Sequence, residues 1–177
     1  DWLRAQPLVL ADRTGEMRLA MLHAAAVPGW SLDALCERSR VIEARLAVEP
    51  FTTRLAVLHA TRRNLDDMEV VLAHAEEAVN DKDAFSKWDG EFHLLIAHAS
   101  GNPLLINVYR QINHVRLHAQ WDAMKEKILT PEVVAAYNRQ HRSIFNALNE
   151  RDAQGAFALI TEHLEKARDD LVKANSP

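Results

Sequence analysis

Cysteine is almost absent from this sequence: Cys36 stands alone among 177 residues. An internal disulfide is therefore excluded, and the chain fits a reducing cytoplasm. Glycine is equally scarce, at five residues, and that scarcity belongs to the composition of a soluble helical protein. No apolar run approaches the ~18–20 residues needed to span a bilayer. The opening Asp1-Trp2-Leu3-Arg4 carries no secretory signal either, so a cytoplasmic protein with no membrane partner is expected. Positive charge is not in excess: 21 basic and 25 acidic side chains give −4 with the nine histidines neutral. Such a chain has no general attraction to phosphate backbones, and any DNA binding must come from another part. The first residue is Asp1 rather than methionine, and the chain reads as a fragment of a longer polypeptide.

What is present is apolar and periodic. Apolar residues make up 48% and charged ones 26%, and the length suits one domain with a short appendage. Residues 1–30 carry the breakers Pro7, Gly15 and Pro28-Gly29. Two short apolar runs within 8–21, on either side of Gly15, predict a β-hairpin, with a disordered or strand-like linker as the alternative. From the N-capping Ser31 onward the apolar residues fall at helical spacing. Breakers and caps divide this part into helices at 31–60, 63–80, 82–100, 102–127, 130–149 and 152–174, with Pro50 expected to kink the first. Short connections between amphipathic helices imply an all-α antiparallel bundle of about six helices.

The chemistry-bearing residues sit on three of these helices. Phe85, Trp88, Phe92, Leu95, Ile96 and Ala99 form one apolar stripe, and Asp89 and His93, four apart, stack along its edge. On the next-to-last helix His141 falls near the centre of the stripe Val134, Tyr137, Ile144, Phe145 and Leu148. His163 lies at the edge of the last stripe, made by Ala156, Ile160, Leu164, Ala167 and Leu171. A buried imidazole needs a hydrogen bond, an ion or water. A core histidine bonded within the protein is the simpler account of each ring; one shared metal would satisfy all three, with Asp89 adding an oxygen. His114 and His118 are a competing pair, but the stripe Leu105, Val108, Ile112, Val115 and Ala119 turns them toward solvent. His23, His59, His74 and His98 read as structural or surface residues.

The run from Asp89-Gly90-Glu91-Phe92-His93 to Ser100-Gly101-Asn102-Pro103-Leu104-Leu105 resembles the D-x-x-F-H…SGNPLL signature of the FadR C-terminal domain family, FCD, of GntR-superfamily regulators. Glu43-Ala44-Arg45 with Glu49-Pro50 is similar to the family's E-x-R…E-P segment. Gln140-His141-Arg142-Ser143-Ile144 through Asp152 to Glu162-His163 is similar to its closing two helices. The resemblance covers about residues 31–174 and implies residues 31–177 as a metal- and effector-binding domain. It implies Asp89, His93, His141 and His163 as ligands of a divalent transition metal, zinc first, with nickel, manganese or iron as alternatives. It also implies Arg45 as a contact for an effector carboxylate. The residues themselves offer Arg45 an ion pair with Glu49, and both roles can hold.

Regulators of this superfamily carry a winged helix-turn-helix ahead of the bundle, and 1–30 is too short to contain one. Residues 1–30 are then a linker or the remnant of its wing. The resemblance thus implies a homodimer, operator DNA bound through the missing N-terminal domain, a small organic acid as effector, and no catalysis. The rival class is a metal-dependent enzyme, because three histidines and a carboxylate can also hold a catalytic metal. No nucleophile elbow, H-E-x-x-H run or second carboxylate set accompanies the site.

Overall fold

The computed structural model describes residues 40–115 and 126–174. Six helices cover most of them: α1 (Arg40–His59), α2 (Arg62–Glu77), α3 (Lys82–Ala99), α4 (Pro103–Val115), α5 (Pro131–Asn149) and α6 (Ala153–Ala174). No strand occurs among the described residues. The fold is all-α, as expected. The hairpin at 8–21, the first nine residues of the 31–60 helix and residues 116–125 of the 102–127 helix lie outside the described residues.

Local chemistry accounts for the helix ends. Thr61 caps α2 through a box with Asn64: the Asn64 amide donates to Thr61 Oγ1 at 3.2 Å and the Thr61 amide to Asn64 Oδ1 at 2.9 Å. Each side chain satisfies an amide that the helix cannot. The helix therefore opens one residue earlier than its apolar pattern suggested. Asp81 Oδ1 accepts from Ala84 at the start of α3, and Thr130 with Pro131 opens α5. At the end of α5, Arg151 takes the left-handed conformation with φ 61°. The amides of Arg151 and Asp152 then reach back to the carbonyls of Leu148 and Ala147, a Schellman closure. Asp152 turns to cap α6, accepting from Gly155 at 2.9 Å. A Cβ on Gly155 would stand 2.1 Å from the Asp152 carboxylate, so a larger residue there would displace this capping side chain. Helix α1 runs continuously through Pro50.

The apolar faces pack into one core. α1 lies against α6, α3, α4 and α5; α2 packs on α3 and α5, α5 on α6, and α4 on α3. Met68, Leu72, Phe92, Ile96, Ile144, Leu148, Ile160 and Leu164 form its centre. Burying each such side chain contributes ~1.5–3 kcal/mol. Gly90 faces the Asn113 side chain of α4, whose Oδ1 would lie 3.0 Å from a Cβ there. Trp88, expected in the α3 stripe, is half-buried and stacks on exposed His74 at 4.6 Å.

Candidate metal centre

The inner faces of α3, α5 and α6 meet at a polar cluster inside this core. Asp89 and His93 project from α3, His141 from α5 and His163 from α6, and all four are buried. His141 is fully enclosed, and His163, placed at the edge of its stripe by periodicity, is only 1% exposed. The reason is that α6 is covered on two sides, by α1 and by α5. One ligand atom from each of the four residues lies within 4.8 Å of every other.

The rings turn their Nε2 atoms toward one another. His141 Nε2 is 3.2 Å from His163 Nε2 and 3.3 Å from Asp89 Oδ1, and His93 Nε2 is 3.9 Å from the same oxygen. Metal–nitrogen bonds of about 2.0–2.1 Å place neighbouring ligand atoms roughly 3.0–3.4 Å apart. The closest spacings here match that range, and a small contraction would bring in His93. Both ring nitrogens of His93 and the Nδ1 of His141 have no hydrogen-bond partner, and such buried nitrogens are costly unless something else satisfies them. The donor set, one carboxylate and three imidazoles, therefore fits a divalent transition metal.

Electrostatics keep the rings in the state a metal requires. Burial lowers the His93 pKa to about 4, with Arg45 acting in the same sense against Glu49 and Asp89. Burial and the neighbouring His141 and His93 hold His163 well below its ordinary value. Both rings are neutral at pH 7, with a lone pair available.

A second layer surrounds the cluster. Glu49 on α1 is buried; burial alone would raise its pKa, but Arg45 and His93 outweigh that and lower it to about 2. Its carboxylate pairs with the Arg45 guanidinium through Nε, and again through Nη2 at 3.4 Å. It also lies 2.8 Å from His93 Nδ1, to one side of the N–H direction. Gln140 Oε1 is 3.1 Å from His163 Nδ1. Tyr109 on α4 is buried with its ring 6.3 Å from His93. Tyr137 packs edge-on against His163 at 5.4 Å and donates its hydroxyl to Asp170 at 2.9 Å.

The structure thus brings together all four residues singled out as ligands, with Arg45 one residue removed, behind Glu49. The ion pair read from their spacing is present and buried. Sequence reasoning missed the contact of Glu49 with His93, the roles of Gln140 and Tyr109, and the stacking of His74 on Trp88. Only Glu49 had a signal, its i, i+4 spacing from Arg45. His114 is exposed, as is His59, and His98 is half-buried with Arg110 at 3.3 Å.

The FCD domain family matches residues 40–166. This chain belongs to that family. A protein of Escherichia coli K12 named for regulation of the L-lactate dehydrogenase operon is 31% identical over 137 residues, 77% of this chain and 50% of its own. The Uxu operon regulator of Haemophilus influenzae is 23% identical over 129 residues, 72% of this chain and 48% of its own. The chain thus spans about half the length of the curated relatives it matches. Among solved structures, E. coli McbR/YncC superposes with a TM-score of 0.70 at 19% identity, covering 89% of this chain and 79% of that one. That likeness establishes the fold. No described helix is long and apolar enough to cross a membrane.

Proposed function

We propose that this FCD domain is the sensing part of a cytoplasmic GntR-type transcriptional regulator. It holds one divalent transition metal on Asp89, His93, His141 and His163 and binds a small carboxylate. The observation that carries this reading is the convergence of four buried donor atoms within 4.8 Å, in a chain that two named regulators match over 72% and 77% of its length. Those names also favour a binding domain over a metal-dependent enzyme. Residues 31–177 are the sensing domain and 1–30 a linker or wing remnant. A winged helix-turn-helix ahead of them reads operator DNA, and two copies pair to match operator symmetry.

When bound, the metal supplies a Lewis-acidic centre with open positions for an anionic oxygen. Arg45 and Glu49 cancel in charge, so a dication balanced by Asp89 alone leaves the site positive. Two of the five Arg45 N–H groups face Glu49; in this reading the remaining ones orient a carboxylate. Aromatic rings of Phe85, Phe92 and Tyr137 around the histidines limit the size of what enters. The L-lactate operon in one relative's name is consistent with a small hydroxy acid. Occupancy shifts repression by favouring one arrangement of the paired reading heads, a coupling of typically ~1–3 kcal/mol.

Elemental analysis tests the metal, with about one first-row ion per chain expected and loss in a His93→Ala, His141→Ala double variant. Full retention in that variant would sink the assignment. Calorimetry with a carboxylate panel on wild type, metal-stripped protein and Arg45→Ala tests the effector. Equal carboxylate binding after metal removal would refute the anchoring role.

A further inference from the structure

Two contacts outside the four proposed ligands share one chemical character. Glu49 and Gln140 each place an oxygen beside the Nδ1 atom of a different histidine: Gln140 within hydrogen-bonding geometry, 3.1 Å from His163, and Glu49 2.8 Å from His93 but off its N–H direction. An ionised carboxylate can only accept a hydrogen bond, and so can an amide oxygen. An oxygen beside Nδ1 favours the neutral ring that carries its proton on that nitrogen. The lone pair then sits on Nε2, the atom each ring turns into the cluster. An imidazole without such a partner has no reason to prefer that tautomer, and Nε2–H would block the position a cation needs. The buried Nδ1 atoms of His93 and His141 both lack an aligned hydrogen bond, but His93 Nδ1 has the Glu49 carboxylate 2.8 Å away.

We propose that Glu49 and Gln140 are positioning residues of the metal centre: they hold His93 and His163 as Nδ1–H tautomers and aim both Nε2 lone pairs at the shared site. This rests on the metal-binding reading above. Arg45 pairs with Glu49 on its other side and holds that carboxylate in place. Gln140 comes from the partly exposed side of α5, where it also lines a groove of about 310 Å³ with Arg139, Ser143 and Lys166. Replacing it therefore perturbs the core little. Outer partners of this kind typically carry about 10–100-fold of metal affinity.

The test uses apo protein labelled with ¹⁵N-histidine, long-range ¹H–¹⁵N spectra, and Co²⁺ affinity measured by competition with a chelator. Wild type should show His93 and His163 as Nδ1–H tautomers before any metal is added. Gln140→Leu should move His163 toward Nε2–H and weaken Co²⁺ about 10–100-fold, and Gln140→Glu, which restores an acceptor, should recover both readouts. Glu49→Leu alone would strand buried Arg45, so Arg45→Met is added to it. That pair should release the His93 tautomer and weaken Co²⁺ similarly, with the Co²⁺ absorption spectrum altered. Nε2–H tautomers in apo wild type, or Co²⁺ affinity within twofold of wild type in both outer variants, overturn the proposal. If Asp89→Ala abolishes binding while those variants do not weaken it, only the positioning role falls. If wild type binds no Co²⁺, the metal reading falls, and the positioning role with it.

Discussion

Replacing His141 with leucine separates the two contributions of the central histidine, packing and ligation. The ring is fully enclosed, with its centroid 5.0 Å from that of Phe92 and 6.4 Å from that of Phe85. Leucine has nearly the same volume and meets an apolar lining, so no large cavity opens. Removing the unsatisfied Nδ1 relieves a cost of ~1–3 kcal/mol. Against that, Asp89 and His163 each lose a neighbour, at 3.3 and 3.2 Å, a loss of similar size. The metal-free variant should therefore melt within roughly 4 °C of metal-free wild type, about 1 kcal/mol for a domain of this length. The loaded state differs. A metal at 100 times its dissociation constant stabilises wild type by about 2.7 kcal/mol, or roughly 5–11 °C. With one of four ligands gone, most of that increment should vanish. Differential scanning calorimetry in chelator and in excess zinc, nickel or manganese measures both arms. The reasoning is refuted if the His141→Leu variant keeps half or more of the wild-type increment, or if no metal raises the wild-type melting temperature.

Metal-free protein should lose stability as the pH falls from about 6.5 toward 4, because the unfolded chain takes up protons that folded His93, lowered from 6.5 to about 4, and folded His163 refuse. The slope approaches ~1.4 kcal/mol per pH unit for each such imidazole; stability by urea titration that is flat from pH 7 to 5 contradicts it. Arg45→Met should destabilise the fold by about 3–5 kcal/mol, since it leaves Glu49 buried without its cation, and adding Glu49→Gln should restore part of that in the same titration. At Arg151, φ 61° favours glycine but the guanidinium donates to the Val57 and Ala60 carbonyls, both at 2.6 Å. Arg151→Ala should accordingly melt lower than Arg151→Gly, by about 1 kcal/mol, and equal melting points would show the backbone conformation to be unimportant. Residues 1–177 alone should give no sequence-specific shift of operator DNA at physiological salt, in view of the −4 charge; high-affinity specific binding by anisotropy would contradict the division of labour.

The sequence by itself determined the helices and the identity of the inward donors. A 3.6-residue period reports which side of a helix is apolar, and that is enough to place His141 on the buried face of α5 and Asp89 beside His93 on α3. The all-α class followed from the same pattern with short, capped connections. A helical wheel carries no information about the neighbour that will cover an edge. His163 was therefore legible as an edge residue, and its burial became visible only with α1 and α5 packed on both sides of α6. The same limit hid Gln140, whose partner lies 23 residues away, and Tyr109, whose ring comes to 6.3 Å from that of His93 only through the packing of α4 on α3. Arg45 and Glu49 were legible as a pair because four residues along one helix bring side chains together whatever surrounds them. That this pair is buried and backs onto His93 was decided by the packing of α1 against α3. Periodicity sets which side chains point inward, and only interhelical packing sets the distances between them, on which ligation and hydrogen bonding depend.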